Sequence, residues 1–275
     1  MLSLHTNAAA LSTQNSLAST NKALTSSMTK LGTGFRVNSA MDDAAGLQVA
    51  TRLNAQSRGM SVAQKNTQNG ISMLQTAEGA LGEVGNMILR MKDLATEAAS
   101  ATSSAADKTA MKAEYTALSA EITSIMGNTS FGGQGLLTGG AFAGATTFQI
   151  GASAAETYAF NAGTDLTALT TALTALSGAD ISATANATIT LADTASAAVG
   201  TLRSTLGAAA NRLEHVYNNL GNMRQNTDAA KGRILDTDYA LETANMTNKQ
   251  MLMQASSAML KQSSSMSQMV ASLLQ

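Results

Sequence analysis

The chain has 275 residues, a net charge of −1 and no Pro, Cys or Trp; aromatic residues make up 3% and charged residues 13%, the latter about half the usual fraction. Without thiols there is neither a disulfide nor a thiolate metal site, and without a basic excess there is no electrostatic footprint for nucleic acid. So few large side chains suit thin helical layers with Ala, Ser and Thr at close contacts, not a wide globular core, and the absence of Pro lets helices run long.

Met1 to Ala10 lack a basic region and a continuous apolar run, so they do not read as a cleavable secretory signal. No window approaches the ~20 apolar residues of a membrane span. Residues 1 to about 31 predict a weakly amphipathic helix: Leu4, Leu11 and Ala18 recur at seven, as do Ala10, Leu17, Leu24 and Leu31. The Ser, Thr, Asn and Gln between them make it marginal alone, a segment that folds on a partner. Gly32-Thr33-Gly34 ends it. Asp42-Asp43 stand where a helix N-terminus favours negative charge; with no further carboxylate or His nearby they read as caps and not as a metal site. A short helix is predicted from Ala44 to Ser57, with Gly59 and Gly70 marking an irregularity before the next.

The axis of the chain runs from Leu74 to Ala98. Leu74, Ala77, Leu81, Val84, Ile88, Met91, Ala95 and Ala98 alternate in steps of three and four, the seam of a coiled coil, and a seam needs partners because a lone apolar stripe facing water does not hold a helix. Two other segments carry the pattern: Met111, Tyr115, Leu118, Ile122 and Ile125, then Leu202, Leu206, Ala209, Leu213, Val216, Leu220 and Met223. Between them, Gly127 to Gly140 predicts a hairpin. From Ala141 to about Thr190 the chain is Ala/Thr-rich and nearly uncharged; Phe148-Gln149-Ile150 and Ala187 to Leu191 predict short strands, and Leu166 to Leu176 a short helix. The third seam extends from about Ala192 to Asp228, and Lys231-Gly232-Arg233 predicts a break. Residues 234 to 275 resume a helical stripe, Leu252, Met259, Met266 and Leu273 at sevens with Ala255, Gln262 and Met269 between, and Met makes such a surface adaptable to several neighbours. The fold class is therefore mainly α, a long coiled-coil bundle built from the N- and C-terminal segments with a small β-containing central insertion.

Catalysis finds little support. The two histidines, His5 and His215, lie in separate helical segments, and neither a zinc-binding His-Glu-x-x-His nor a phosphate-cradling Gly-rich Lys motif occurs. Arg212 and Glu214 read as a solvated face. No cofactor and no metal is expected.

Three stretches resemble the amino-terminal signature of bacterial flagellin: Leu31-Gly-Thr-Gly-Phe-Arg36-Val-Asn38-Ser-Ala40, Asp42-Asp43-Ala44-Ala45-Gly46-Leu47 and Gln75-Thr-Ala-Glu78-Gly79-Ala80-Leu81. Leu206-Gly-Ala, Asn211-Arg212-Leu213, Asn218-Asn219-Leu220, Arg233-Ile-Leu-Asp236-Thr-Asp238 and Gln254-Ala255 with Ala258-Met259-Leu260 resemble its carboxy-terminal signature. The likeness spans roughly residues 1–140 and 190–275, in order and spacing. Two departures stand out: the Pro that many flagellins carry near Met266 is absent, and Gly232 precedes the arginine where a polar residue is usual.

The resemblance implies a structural subunit that polymerises into the flagellar filament; the alternative is the related hook–filament junction protein, which usually matches the first signatures less well. It divides the chain into filament-core segments at 1–40 and 233–275, disordered in the monomer, helical bundle parts at 41–140 and 191–232, and a surface insertion at 141–190 whose Ser and Thr are candidates for O-glycosylation. Leu4, Leu11, Leu17, Leu24, Leu252, Met259, Met266 and Leu273 are the expected filament-core packing residues. Arg90, Leu94 and Glu114 map onto a subunit-interface patch that some members present to a Toll-like innate immune receptor, with Arg90 and Leu94 on one face, off the seam. Implied partners are further copies of the chain, an export chaperone on roughly 235–275, and the filament cap and hook-associated proteins; nucleic acid and membrane are not expected. The implied location is extracellular, reached through the flagellar type III apparatus.

Overall fold

The structure, a computed structural model, describes residues 7–273, apart from the side chains of residues 267, 268 and 270–273. Its helices are α1 (Ala8–Thr33), α2 (Ala44–Ala99), α3 (Ala105–Asn128), α4 (Gly163–Ser177), α5 (Ala185–Leu235) and α6 (Tyr239–Leu273), and its strands are β1 (Ser130–Phe131), β2 (Gln134–Gly135), β3 (Ala145–Gln149) and β4 (Thr157–Asn161). Residues 1–55 with 226–275 form one compact unit and residues 56–225 a second.

The larger unit is organised by the three seams. Leu74, Ala77, Leu81, Val84, Ile88, Met91, Ala95 and Ala98 of α2 are all buried, as are Tyr115 and Ile122 of α3 and Leu202, Leu206, Ala209, Leu213 and Leu220 of α5. Each fully buried Leu or Ile contributes on the order of 1.5–3 kcal/mol of transfer free energy, so the seams carry the fold. Glycines at φ 59° and 84°, Gly132 and Gly133, turn the small hairpin β1–β2 after α3, where the glycine-rich stretch predicted one. The antiparallel pair β3–β4 follows, with Phe148 opposite Tyr158. Leu136, Leu137, Phe142, Phe160, Leu166, Leu169 and Leu176 then carry the core into the insertion.

Several sequence expectations are corrected. Ala44 to Ala99 is one helix of 56 residues, with no irregularity at Gly59 or Gly70. Both glycines are instead notches for β3–β4: a Cβ on Gly59 would lie 2.7 Å from Ala152 Cβ, and one on Gly70 would lie 3.1 Å from Phe148. Ala187 to Leu191 is helical, part of a 51-residue α5 that also runs through Lys231-Gly232-Arg233 without a break. Its alternating Thr and Ile side chains suggest a strand, but Thr188 is buried at a seam position, and tertiary burial overrides β-propensity.

In the smaller unit, Asn7 caps α1 by accepting from Ala10 N–H, and Gly34 ends it in the left-handed region, φ 77°. As read from the sequence, Asp43 caps α2, its Oδ1 accepting from Gly46 N–H at 2.8 Å. Asp42 accepts from the N–H groups of Asn38 and Ser39, which hold its carboxyl below the ordinary range. The segments flanking α1 and α6 pair antiparallel: Phe35 bridges Asp236, Arg36 N–H donates to Leu235 O at 2.6 Å, and Thr237 N–H donates to Gly34 O at 3.0 Å.

Candidate functional site

The surface with the most unusual chemistry is that of the α1–α6 pair. The helices meet along a narrow seam in which Leu24, Ser27, Ser256 and Ser263 are buried. At the far end Asn7 Nδ2 donates to the carbonyl oxygen of Ser263 at 3.3 Å and to its hydroxyl at 3.1 Å. Serine at three of these four buried positions is a weak glue, since little apolar area leaves water there. The large apolar side chains point the other way. Leu11, Met28, Leu241, Met251, Leu252 and Met259 are all exposed, Leu252 at 57% and Met259 at 59%. A soluble unit ordinarily shows the opposite pattern.

The expected packing residues therefore divide. Leu24 is buried and Leu17 half-buried within the pair, while Leu11, Leu252, Met259 and Met266 lie on its outer faces. Leu4 lies outside the described residues, and so does the side chain of Leu273. The stripe read from the sequence at Leu252, Met259 and Met266 is thus real as a stripe, but it does not serve the contact between α1 and α6, which uses Ser256 and Ser263 one turn round.

A second surface lies in the larger unit, where α2 and α3 frame a cleft lined by Arg90, Leu94, Glu97, Asp107, Met111 and Glu114. Arg90 and Glu114, both about half exposed, form an ion pair: Nε donates to Oε1 at 2.8 Å and Nη2 approaches the same oxygen at 2.7 Å. The carboxylate holds the guanidinium proton still more firmly than usual. At the mouth, Ser104 N–H and Oγ–H donate to Asp107 Oδ2, which keeps that carboxyl ionised to lower pH than an ordinary one. Leu94 departs from expectation. It is 2% exposed and belongs to the core, so it forms the floor of the cleft and not its outer face. Among the described residues no group of three or more His, Cys, Asp or Glu stands close enough to hold a metal ion, and no helix is long and apolar enough to cross a membrane.

Sequence reading missed one constellation. Arg212, taken for a solvated side chain, lies with its guanidinium carbon 4.4 Å from the ring centroid of Tyr158. Tyr158 in turn stacks on Phe148 at 6.4 Å. Cation, ring and ring pin β3–β4 to α5 above the Gly70 notch. The sequence signal was slight: Tyr158 and Phe160 alternate in β4, while β3 carries Phe148 alone.

Comparison with known proteins places this architecture. Residues 4–141 match the model of the bacterial flagellin N-terminal helical region, and residues 189–274 match that of the C-terminal helical region. A flagellin of Halalkalibacterium halodurans is 38% identical over 248 residues, covering 90% of each chain. One of Bacillus subtilis is 36% identical over 298 residues, covering 98% of each. The crystal structure of Bacillus cereus flagellin superimposes with a TM-score of 0.50 at 35% identity, over 57% of this chain and 88% of that one.

Proposed function

The chain belongs to the bacterial flagellin family and is a structural subunit of the flagellar filament, and from that we propose that the outer apolar faces of α1 and α6 are the surface on which subunits polymerise. One observation carries this reading. The smaller unit places serine in its internal seam and Leu11, Leu252, Met259 and Met266 outside, and such side chains leave water only when copies pack together. Repetition of one head-to-tail contact yields an open helical polymer and not a closed ring. Residues 1–40 and 233–275 then form the filament core, and 141–190, most of which lies between the two family models, faces outward with its Ser and Thr open to glycosylation. In the free monomer the ends order only in part, because a serine seam alone offsets little of the ordering entropy. The subunit leaves the cell by the flagellar export apparatus, with a chaperone covering the apolar α6, and adds to the tip beneath a cap beyond the hook-associated proteins.

Leu252→Ser with Met259→Ser in the full chain tests this. The variant is expected to keep the circular dichroism of the larger unit and to give no filaments by negative-stain electron microscopy after seeding. Filaments at the unmodified yield would refute the assignment of the surface. Seeds that accept one layer of subunits and stop would favour the junction-protein alternative.

A second reading concerns the α2–α3 cleft. Arg90 and Glu114 are exposed and adjacent, the arrangement a protein partner such as a Toll-like receptor needs, while Leu94 acts as an apolar floor. Arg90→Ala and Glu114→Ala are expected to weaken signalling by monomer in receptor-bearing cells; equal potency in both variants would remove this reading.

A further inference from the structure

The methionines of this chain are partitioned. Met60, Met73, Met91 and Met126 of the larger unit are buried, three of them at 4% exposure or less, and its Met223 is exposed at its edge; Met251, Met259, Met266 and Met269 of α6 and Met28 of α1 are about half exposed, and Met41, between α1 and α2, is fully so. Thioethers react with peroxides according to access, and the product sulfoxide turns a flexible apolar side chain into a polar one that disrupts Met-rich interfaces. We propose that Met251, Met259 and Met266 form an oxidation-sensitive modification site, at which conversion to methionine sulfoxide by hydrogen peroxide reversibly blocks addition of the subunit to a filament. The proposal rests on the assignment of the outer α6 face to polymerisation.

The chemistry is a two-electron oxygen transfer. A sulfur lone pair attacks one peroxide oxygen and the S–O bond forms as the O–O bond breaks. The departing hydroxide takes the proton released from the transferred oxygen and leaves as water, so sulfur is oxidised and peroxide reduced. In the reverse direction a methionine sulfoxide reductase with a dithiol transfers two electrons, yielding the thioether, a disulfide and water. The larger unit is affected less, because Met60, Met73, Met91 and Met126 are shielded by the seams and Met87 and Met111 are partly buried, with Met223 of α5 its exposed thioether at 39%, so oxidation of the monomer chiefly changes the assembly helices. A filament that buries the same face protects it, so the site responds to oxidant before assembly and not after.

The test uses the full chain, untreated or exposed to millimolar hydrogen peroxide and quenched with free methionine, then seeded and followed by sedimentation. Peptide mass mapping locates added oxygen. Expected in the treated monomer is oxygen on Met251, Met259 and Met266 ahead of Met60, Met73, Met91 and Met126, with polymer yield down by about tenfold or more, as loss of a Met-rich interface implies. Reductase treatment restores the yield, and preformed filament resists modification at the three sites. A Met251→Leu, Met259→Leu, Met266→Leu triple variant, near-isosteric and not oxidisable, is expected to show the same polymer yield with peroxide as without it, whatever its yield before treatment. Met259→Gln, polar like the sulfoxide, is expected to impair assembly without any oxidant.

Full yield from monomer oxidised at all three sites overturns the proposal while leaving the assembly surface standing. Equal inhibition of the triple variant also overturns it, because the damage would then lie elsewhere. Failure of the untreated chain to extend seeds instead overturns the assembly reading on which the proposal rests.

Discussion

Tyr115 offers the sharpest test of how the insertion is tied to the helical bundle. Its ring is 2% exposed within α3, and its hydroxyl donates to Leu176 O, at the end of α4, at 2.5 Å. Replacing Tyr115 by Phe keeps the ring and opens no cavity, so the cost is that of the hydrogen bond alone. Leaving a buried acceptor unsatisfied costs about 1–3 kcal/mol. Leu176 O, however, also accepts from Ala179 N–H at 3.1 Å, so it keeps one partner and the loss sits near ~1 kcal/mol, the low end of that range. For a unit of this size that lowers the melting temperature by roughly 2–4 °C. The same burial pushes the phenol's pKa from 10.0 up to about 12. A folded-state pKa above the unfolded one makes the native state bind the proton more tightly, so the stabilisation is full below pH 10 and is lost as pH rises from 10 to about 12. Thermal melts of Tyr115→Phe and the unmodified chain from pH 7 to 12 are expected to favour the unmodified chain at neutral pH, with the difference shrinking and then reversing as pH approaches about 12, because ionising so firmly held a phenol costs more than the ~1 kcal/mol hydrogen bond supplies. A drop of ~10 °C at neutral pH, the size of a cavity-forming change, or a constant difference across the whole range, would refute this account.

Three further outcomes follow from the geometry. Gly79→Ala meets nothing within 4 Å and should stabilise the monomer by up to ~1 kcal/mol through helix propensity; Gly59→Ala would place its Cβ 2.7 Å from Ala152 Cβ and 3.1 Å from its Cα, so backbone must move and denaturant titration should show a net loss. Asp42 and Asp107 have carboxyl pKa values below the ordinary 3.8, so the stability they lend is present above that value and lost as pH falls through their depressed folded pKa; acid titration of Asp107→Asn followed by circular dichroism should show a shallower loss than the parent. Ser27→Ala with Ser256→Ala, both facing the α1–α6 seam, should raise monomer helicity, at about 0.5 kcal/mol of propensity per site, while leaving seeded polymerisation intact; loss of polymerisation would show that inner and outer faces were exchanged.

Legibility in the sequence followed side-chain size. Leu74 to Ala98 could be read because Leu, Val, Ile and Met recur at the buried positions. The same seam continues upstream through Ser57, Met60, Ala63 and Thr67, where small and polar residues carry no hydrophobic period, so Ala44 to Ala99 read as two helices. Gly59 and Gly70 look like breakers in isolation, and their role as notches depends on Ala152 and Phe148, far along the chain. Arg212 and Tyr158 likewise announce their contact by no local spacing. Leu94 was misplaced because an i, i+4 relation to Arg90 fixes angle only roughly, and the seam is wide enough there to bury Leu94 beside Ala95. The flagellin signatures, by contrast, were plain because their residues serve turns and caps, which are encoded locally: Gly34 in the left-handed region and Asp43 at the head of α2.

The two units explain how one chain can be both a stable protein and a polymer. The larger unit satisfies itself: its seams close on each other and its exposed ion pairs, such as Lys92 with Asp193 and Lys112 with Asp180, decorate a surface to which they add little stability. The smaller unit divides its binding capacity unequally. Asn7 and Ser263 hydrogen-bond α1 to α6, and Ser27 and Ser256 are buried in the same seam; polar contacts specify geometry while contributing little net free energy. Leu11, Leu252 and Met259 are left exposed, and on the proposed assembly surface they hold the larger hydrophobic gain in reserve. A subunit whose ends packed well internally would have no reason to polymerise, and one whose ends had no internal register would present no defined surface to the next copy. With the assembly surface proposed above, the polar seam with an apolar exterior meets both demands, and it leaves the α6 thioethers exposed in the monomer.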